Sequence, residues 1–325
     1  MHAEGTAIDL FTGAIEYLSG LIVERIPEMQ RNVRLPLAAL AFAIALVACG
    51  EFVRADGDFV ASARGTLPRH KEGFFQLSET EFAWIGGGDD FTMSEANTFM
   101  RVAVPLPGDD NILALQPALR TFHLNGPDFV DVPETLYCAQ LNLLWRKTWT
   151  KRTQGTVWLQ PKIRSDFETT KDSFFLSGGA FLRYTWTPNK LDIYFGALYL
   201  DRDDITLLPG AGFIWTPTSD WRVEALLPRP RISKRLSQHG SFSETWAYLS
   251  GQLGGGSFAV TRDSGVEEKL TVRDFRVFFG TERIVAGGRG VFLETGYVFG
   301  RTLEYGPTEE FEFDDSLLLR AGFRI

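Results

Sequence analysis

The chain has 325 residues, of which 44% are hydrophobic and 23% charged, so it is too polar for a bundle of membrane helices and too apolar to be disordered. Its 27 Phe, 8 Trp and 8 Tyr stand beside 32 Gly and 15 Pro, a mixture typical of short strands and turns. The net charge of -8 excludes nucleic acid as a partner for the whole chain, and 2 Cys with 4 His exclude a cysteine-rich metal cluster or a disulfide scaffold.

The first predicted element is an export signal at residues 29–55. Two arginines precede an apolar run from Leu35 to Ala48, which is shorter than the roughly 20 residues that a membrane-spanning helix needs. The pattern therefore predicts a signal peptide and export. Because acidic residues precede the basic start of this signal, we expect residues 1–28 to be an extension introduced by the choice of start codon, with Met29 as the true start.

Two processing sites compete within this signal. Val53-Arg54-Ala55 ends on the small residue that ordinary signal peptidase requires, whereas Leu46-Val47-Ala48-Cys49 resembles a lipobox in which Cys49 would carry lipid. We favour cleavage after Ala55, because a lipid anchor is redundant for a chain that is itself embedded in a membrane. Residues 56–73 are then expected to be a flexible N-terminal segment.

From residue 74 onward the sequence alternates apolar and polar side chains, as strands with one apolar face do. In residues 137–145 the apolar face begins with Tyr137 and ends with Trp145. Its eight steps of about 3.3 Å, tilted by about 40°, give roughly 20 Å of height, near the ~25 Å apolar band of a membrane barrel. The pattern favours an all-β, antiparallel transmembrane β-barrel over residues 74–325. A soluble sandwich or solenoid, which shows the same alternation, stays open as the alternative.

Turn residues divide this region into candidate strands. The predicted strands are 74–86, 95–106, 112–124, 135–149, 155–167, 174–187, 191–201, 207–216, 221–230, 244–258, 268–281, 290–302 and 316–325. Because bacterial single-chain barrels have an even number of strands, we predict 12 strands, with 14 as the neighbouring count. Longer polar connections are expected at residues 86–94, 125–133, 231–242 and 303–315.

In a barrel of this kind, the side chains along a strand alternate between the lipid-facing side and the lumen-facing side. Arg or Lys facing lipid at the midplane costs about 2 to 4 kcal/mol, so the strand arginines must point inward. The predicted lumen-facing residues are Arg101, Arg120, Asn142, Arg146, Lys162, Arg164, Arg183, Arg222, Glu224, Glu294 and Arg320, with Asp274 and Arg324 beside them. The predicted aromatic girdle consists of Tyr137, Trp145, Tyr184, Trp186, Trp215, Tyr297 and Phe323.

Basic residues outnumber acidic ones at the predicted lumen positions, although the chain as a whole is acidic. Within a low-dielectric wall, such a lining raises the local concentration of anions and favours their passage. The alternative is that the arginines pair with the few acidic residues, or with an inward-folded loop, and seal the lumen. The sequence leaves these two possibilities open, with a small anionic solute as the expected partner of an open pore.

Several short motifs follow one another in a fixed order over roughly residues 75–325. They are Gly126–Asp128, Val132–Tyr137, Leu208–Gly212, Trp215–Pro217, Leu227–Pro230, Trp246–Leu249, Gly254–Ser257, Asp274–Val277 and Glu294–Phe299. In this order they resemble a family of Gram-negative outer-membrane β-barrel proteins that carry a domain of unknown function. The resemblance implies an outer-membrane location, a lipid environment and insertion by the barrel-assembly machinery, but it implies no activity. One departure is the C-terminal Phe323-Arg324-Ile325, where such chains usually end on an aromatic residue.

No motif in the chain indicates catalysis or a cofactor. His123 and His239 lack a nucleophile motif, and Gly210-Ala211-Gly212 lacks the third glycine of a dinucleotide fingerprint. The acidic runs at 201–204, 267–268 and 309–315 lack the ligand spacing of a calcium loop, so no metal is expected.

We therefore expect a non-enzymatic outer-membrane barrel that acts as a narrow pore or solute channel with mild anion preference. One alternative is a structural or adhesive surface barrel whose loops, such as 231–242, bind a partner. The other is a membrane-embedded hydrolase that uses His123 or His239.

Overall fold

The computed structural model describes Leu67 and residues 73–86, 91–108, 110–169, 171–199, 207–227, 229–306 and 309–325. The predictions for the extension at 1–28, the signal peptide and its two cleavage sites, including Cys49, lie outside these residues. Within the described part of the chain, no helix is long and apolar enough to cross a membrane.

The described residues form fifteen β-strands and one short 3-10 turn at Asp128–Val130. The first eight strands are β1 (Phe75–Gly86), β2 (Thr92–Pro105), β3 (Asn111–Asn125), β4 (Thr135–Thr148), β5 (Thr153–Ser165), β6 (Phe174–Thr187), β7 (Leu191–Tyr199) and β8 (Leu207–Thr218). The other seven are β9 (Trp221–Ala225), β10 (Arg231–His239), β11 (Ser243–Thr261), β12 (Glu267–Val285), β13 (Gly290–Tyr305), β14 (Glu309–Phe313) and β15 (Ser316–Arg324).

Fourteen of these strands close into an antiparallel barrel. Each strand from β1 to β13 pairs with the next, and β15 pairs with both β13 and β1, which joins the two ends of the sheet. The short β14 pairs with β13 at Arg301–Tyr305, beyond the part of β13 that pairs with β15. The predicted fold class is confirmed, and the strand number is the neighbouring count of 14 rather than 12.

The barrel strand that the sequence did not reveal is β10, which lies in the predicted polar connection 231–242; the short β14 likewise lies in the predicted connection 303–315. The outward positions of β10, Ile232, Lys234 and Leu236, do not form the continuous apolar face that marks the other strands. The predicted strand 221–230 is also too long, because β9 ends at Ala225. Prolines follow at positions 228 and 230, and proline has no N–H for a strand ladder.

The two ends of the barrel differ in their connections. At one end, here called the tight-turn end, consecutive strands are joined by residues 106–110, 149–152, 188–190, 219–220, 240–242 and 286–289. At the other, the long-loop end, the connections are 87–91, 126–134, 166–173, 200–206, 226–230, 262–266 and 306–315. The first residue of β1 and the last residue of β15 both lie at the tight-turn end.

The outer face of the barrel is apolar. Alternate strand residues such as Leu159, Phe279, Leu293 and Leu319 expose large hydrophobic side chains, while the residues between them are buried. Exposed apolar area of this extent is rare on soluble proteins and is the face that hydrocarbon covers in membrane barrels.

The lumen at the long-loop end is filled by an apolar core. Its buried members are Ile85, Phe91, Met93, Phe122, Leu124, Val130, Leu136, Cys138, Phe258, Val260, Leu270, Val272, Val298, Leu303, Tyr305 and Leu318. They come from β1–β4, β11–β13, β15 and two connections, and no strand from β6 to β10 contributes a residue to this core.

The core closes because β11 crosses the lumen to reach β5. Ala259 pairs with Ser165 in parallel, and the Thr261 N–H donates to Asp166 Oδ2 at 2.6 Å. Nine strands, β1–β5, β11–β13 and β15, therefore form a smaller closed ring at this level, while β6–β10 wall a separate side. Gly256 permits the crossing, because its backbone φ of 144° is one that residues with a Cβ rarely adopt.

Candidate functional site: the polar lumen

The predicted lumen residues lie on the inner face of the barrel. Buried side chains among them are Arg101, Asn142, Lys162, Arg164, Arg222, Glu294 and Arg320, and Arg120, Arg146, Arg183 and Glu224 are half-buried. Below the apolar core, these and further polar residues form successive layers toward the tight-turn end.

The first layer is built around Arg276 of β12, whose side chain is 1% exposed. Its Nε donates to Asp274 Oδ1 at 2.5 Å, and its Nη2 donates to Asp274 Oδ2 at 2.9 Å and to Glu95 Oε1 at 2.6 Å. Arg120 approaches the other oxygen of Glu95 at 3.6 Å. Because Glu95 is on β2 and Arg276 is on β12, this layer joins strands that are not neighbours in the sheet.

The second layer is built around Glu294 of β13. Its Oε1 accepts hydrogen bonds from Arg229 Nη2 and from the Tyr248 hydroxyl, both at 2.7 Å. Its Oε2 accepts from Arg320 Nη1 at 2.7 Å, and the same nitrogen also donates to Gln252 Oε1 at 3.1 Å. One buried carboxylate thus faces two guanidinium groups.

The third layer links four charged residues in a row. Arg324 donates to Glu79 Oε2 at 2.5 Å and to Glu282 Oε2 at 3.1 Å, and Glu282 also accepts a hydrogen bond from Arg231. Buried charges of this kind are stable when each faces an opposite charge with good geometry. On the side formed by β10–β13, β15 and β1, the described contacts therefore cross-link the wall.

Close to the tight-turn end, Leu67 also lies in the lumen. The backbone N–H of Leu67 donates to Glu244 Oε1 at 2.8 Å, and the Leu67 side chain is buried. Glu244 also accepts a hydrogen bond from Trp246 Nε1 at 2.8 Å. Of residues 56–73, the structure describes Leu67 and Gly73.

The opposite wall, formed by β2–β6, has a different charge. These five strands contain a single acidic residue, Glu95, and seven basic residues: Arg101, Arg120, Arg146, Lys147, Lys162, Arg164 and Arg183. All of the basic residues except Lys147 share the inward parity of their strands. We call this surface the basic wall.

Amide side chains alternate with the charges of the basic wall. Arg101 Nε donates to Gln116 Oε1 at 2.8 Å, and Gln160 Nε2 donates to Asn142 Oδ1 at 2.7 Å. The Trp158 indole N–H points to the same Asn142 oxygen at 3.4 Å. Neutral amides leave the charge of the wall unchanged, so the wall keeps a net positive charge. Two of its arginines also approach carboxylates, Arg120 at 3.6 Å from Glu95 and Arg183 at 4.0 Å from Asp192 of β7.

The aromatic residues predicted as a girdle lie at both ends of the outer face. Trp145, Trp186, Trp215, Tyr297 and Phe323 are exposed, and Tyr137 and Tyr184 are half-buried. Tyr137 stacks on Phe167 with ring centres 4.7 Å apart. The indole and phenol groups thus occupy positions where one end of a ring meets hydrocarbon and the other meets water.

The two histidines considered for catalysis lie outside the lumen. His123 is exposed at the long-loop end of β3, where its Nδ1 is 3.0 Å from Thr135 Oγ1, and His239 is exposed at the tight-turn end of β10. Cys138 is buried, with its Sγ 3.7 Å from Gln140 Oε1. Across the described residues, no group of three or more His, Cys, Asp or Glu side chains is arranged to hold a metal ion.

Of the acidic runs considered as calcium sites, one lies outside the described residues and the other two contain residues that contact an arginine. Residues 201–204 lie outside the described residues. Glu268 and Glu309 instead bind Arg262 of the β11–β12 connection, at 3.4 Å and 2.9 Å, and Asp131 binds it at 3.1 Å. The hydrogen bond to Glu309, together with the one to Asp131, raises the pKa of Arg262 above its ordinary value. One guanidinium therefore ties three connections together at the long-loop end.

Sequence reasoning missed most of the carboxylates in the lumen. Glu79, Glu81, Glu95, Glu244 and Glu282 are buried on inner faces. The alternation of inward and outward residues, which placed the arginines in the lumen, also predicts these carboxylates there. Glu79 and Glu81, for example, have the opposite parity to the exposed Phe82 and Trp84.

Comparisons with known proteins give only distant similarities in fold. No protein-family model matches the sequence, and no curated protein matches it. Among solved structures, LpxR from Salmonella typhimurium is 9% identical and covers 76% of this chain and 99% of its own, with a TM-score of 0.38. The β domain of the Bordetella autotransporter BrkA is 9% identical, covers 77% of this chain and 98% of its own, and has a TM-score of 0.34. OccK5 of Pseudomonas aeruginosa is 10% identical, covers 78% of this chain and 99% of its own, and has a TM-score of 0.30. At these values, none of the three similarities indicates an activity for this chain.

Proposed function

We propose that the protein is an outer-membrane barrel that carries small anions past the basic wall. The observation that supports this most directly is the separation of charge within one lumen. On one side, carboxylates and arginines pair across the barrel, whereas β2–β6 contribute six inward-facing basic residues and one carboxylate, Glu95. A positive surface inside a low-dielectric wall attracts anions and repels cations.

The outer-membrane location is supported by the surface of the barrel. The exposed apolar side chains, the aromatic residues at both ends and the closed ring of 14 strands are the properties of membrane barrels from Gram-negative bacteria. We propose insertion by the barrel-assembly machinery, and membership of the family with a domain of unknown function that the sequence motifs resemble. Separation of inner and outer membranes, with heat-dependent gel mobility of the protein, tests the location.

The proposed conduction is tested by the reversal potential of the purified barrel in planar bilayers under a KCl gradient. We expect a preference for chloride that falls when Arg146 and Lys162 are both replaced by Gln. Lys147→Gln is the matched control, because Lys147 adjoins Arg146 on β4 but has the outward parity of Trp145. Cation preference, or equal selectivity in the wild type and the double variant, would contradict the proposal. A folded barrel without conductance would also contradict it.

We further propose that the barrel is not an enzyme. His123 contacts the Thr135 hydroxyl, and hydrolysis would need a nucleophile, a base and an orienting group within hydrogen-bond distance. The hydrolase alternative predicts turnover of lipid or ester substrates that is lost in His123→Ala or His239→Ala. The proposed transport function predicts that both variants keep the conductance of the wild type.

A further inference from the structure

Most of the tryptophans that point out of the barrel lie at its tight-turn end. Of the 8 Trp in the chain, Trp158 and Trp246 are buried in the lumen and the other six are exposed. Trp84 lies at the long-loop end of β1. The other five follow one another around the tight-turn end from β4 to β9 and are Trp145, Trp149, Trp186, Trp215 and Trp221.

Three lysines lie between these tryptophans on the same outer surface. Lys147 follows Trp145 by two residues on β4, so its Cα lies about 6.6 Å farther along the strand toward the tight-turn end. Lys190 is exposed in the turn after β6. Lys234 pairs in register with Trp221, and its Nζ lies 5.3 Å from the centre of the Trp221 ring. We call the five tryptophans and these three lysines the Trp–Lys belt.

The positive charge of the Trp–Lys belt is not neutralised by the protein. None of its three lysines forms an ion pair with a carboxylate of the described residues, Asp110 of the nearby β2–β3 turn included. Asp220, in the turn between β8 and β9, is bound by Arg235 at 2.8 Å. Lys151 and Arg152, exposed in the turn after β4, add to the positive charge. The belt therefore presents cations that an outside anion can pair with.

The opposite interface of the same strands has a different chemistry. Its exposed aromatic residues are Phe167, Phe174 and Tyr199, and no tryptophan lies there among the described residues of β4–β10. The described residues of connection 166–173 include three acidic side chains and one basic side chain, Lys171. The two rims of the barrel thus differ, with tryptophan and lysine together at one and an excess of acids at the other.

We propose that the Trp–Lys belt binds the phosphate groups of anionic phospholipids in the leaflet that contacts the tight-turn end. Tryptophan rings lie at the level of the head groups in a bilayer, with the ring against the acyl chains and the N–H toward water. Basic side chains beside them attract anionic head groups. The inference requires a barrel that lies in a membrane, but it does not require conduction.

The spacing within the belt fits a phospholipid. Trp145 lies deeper than Lys147 on the same strand, in the order in which the acyl chains and the phosphate of a lipid follow one another toward water. The long stem of Lys234 packs beside Trp221 while its amine extends toward the head groups. Phosphatidylglycerol carries a net negative charge, whereas the choline of phosphatidylcholine cancels the charge of its phosphate. The belt therefore selects the anionic lipid.

The test measures which lipid contacts the belt, by tryptophan fluorescence in vesicles of phosphatidylcholine and phosphatidylglycerol. One lipid at a time is brominated near the top of its acyl chains, because bromine quenches tryptophans in contact with that lipid. Trp84→Phe removes the outward tryptophan of the other end, and Trp158 and Trp246 are buried, so the lipid-dependent quenching reports the belt. At equal concentrations we expect phosphatidylglycerol to occupy the belt about fivefold more often, equivalent to about 1 kcal/mol.

Two triple variants locate the preference in the lysines. Replacement of Lys147, Lys190 and Lys234 by Gln should lower the preference for phosphatidylglycerol to about twofold or less. Replacement of the same three lysines by Arg keeps the charge and should keep the fivefold preference. Heat-dependent gel mobility verifies that both variants are folded. A folded Arg variant that loses the preference would overturn the proposal.

The matched control removes the same charge from the other end of the barrel, through Lys171→Gln, Lys269→Gln and Arg273→Gln in one chain. We expect this control to keep the fivefold preference. Equal quenching by the two brominated lipids in the wild type would overturn the proposal. An equal loss in the control and in the Gln variant of the belt would also overturn it, because the net charge of the chain would then be the cause. The preference in a folded barrel without conductance would support the belt and contradict the proposed transport.

Discussion

The replacement of Arg276 by Met tests whether the charge layers hold the barrel together. Arg276 is buried between the carboxylates of Asp274 and Glu95 and makes three hydrogen bonds of 2.5–2.9 Å with them. Met retains most of the side-chain volume but leaves two buried carboxylates without this cation. Removing one member of such a group costs about 3 to 5 kcal/mol. That loss is a large part of the roughly 5 to 15 kcal/mol by which a typical protein is stable.

The measurement is the free energy of unfolding in urea, followed by tryptophan fluorescence in lipid vesicles, with gel mobility as a second probe. Arg273→Met is the control on the same strand, because the exposed Arg273–Glu304 pair should contribute about 1 kcal/mol or less. The triple variant Glu95→Gln, Asp274→Asn and Arg276→Met removes all three charges together. We expect it to recover most of the lost stability, since neutral groups no longer require buried partners.

Two results would refute this reasoning. The first is a cost for Arg276→Met no larger than that for Arg273→Met, which would mean that water already compensates the carboxylates. The second is a triple variant as unstable as the single one, because the loss would then come from packing around Arg276 rather than from uncompensated charge.

Three further predictions concern packing, lipid contact and pH. Gly254→Ala should destabilise the barrel by about 1 to 3 kcal/mol in the same urea assay, because the new Cβ would lie 2.1 Å from Asp274 Oδ1. Leu319→Arg should cost about 2 to 4 kcal/mol in vesicles, since Leu319 is 52% exposed on the outer face, and a smaller loss would place this position outside the hydrocarbon. Hydrogen bonds from Arg235 hold the pKa of Asp220 below its ordinary value. The pair therefore stabilises the folded state at pH values above the pKa that Asp220 has in the unfolded chain. This stabilisation is lost as the pH falls through the pKa of Asp220 in the folded state. Asp220→Asn should therefore flatten the acid side of a stability-pH curve, and an unchanged curve would contradict the prediction.

The outer face was predictable from sequence because it depends on local alternation alone. Every second residue of a strand faces the same way, so a run from Tyr137 to Trp145 fixes which side meets lipid and which side meets the lumen. The same rule failed for β10, whose outward face contains Lys234 near the interface. Lys234 lies there with its Nζ 5.3 Å from the centre of the Trp221 ring, where a cation is tolerated.

The partners of the inward residues were not predictable from one sequence. Glu95 and Arg276 are separated by 181 residues along the chain, and Arg229 and Glu294 by 65. Alternation predicts which side chains point into the lumen. The number of strands, their tilt and the crossing of β11 determine which of these side chains contact each other. The sequence consequently left open whether the arginines line an open pore or pair with carboxylates and an inward-folded loop. The structure shows ion pairs across the side formed by β10–β13, β15 and β1, and an excess of basic over acidic residues on β2–β6, where Arg120 and Arg183 also contact carboxylates.

The uneven height of the wall follows from the crossing of β11. Strands β11 and β12 have 19 residues each, about 63 Å at 3.3 Å per residue, whereas a membrane-spanning strand needs only about 9 to 11 residues. The surplus length of β11 reaches β5, so nine strands enclose the apolar core and β6–β10 are not needed to cover it. The five-residue β9 can then end early, and the side chain of Arg229, which follows it in the chain, reaches Glu294 inside the lumen. The crossing of β11 and the burial of Arg229 beside Glu294 are therefore two consequences of one distribution of strand lengths.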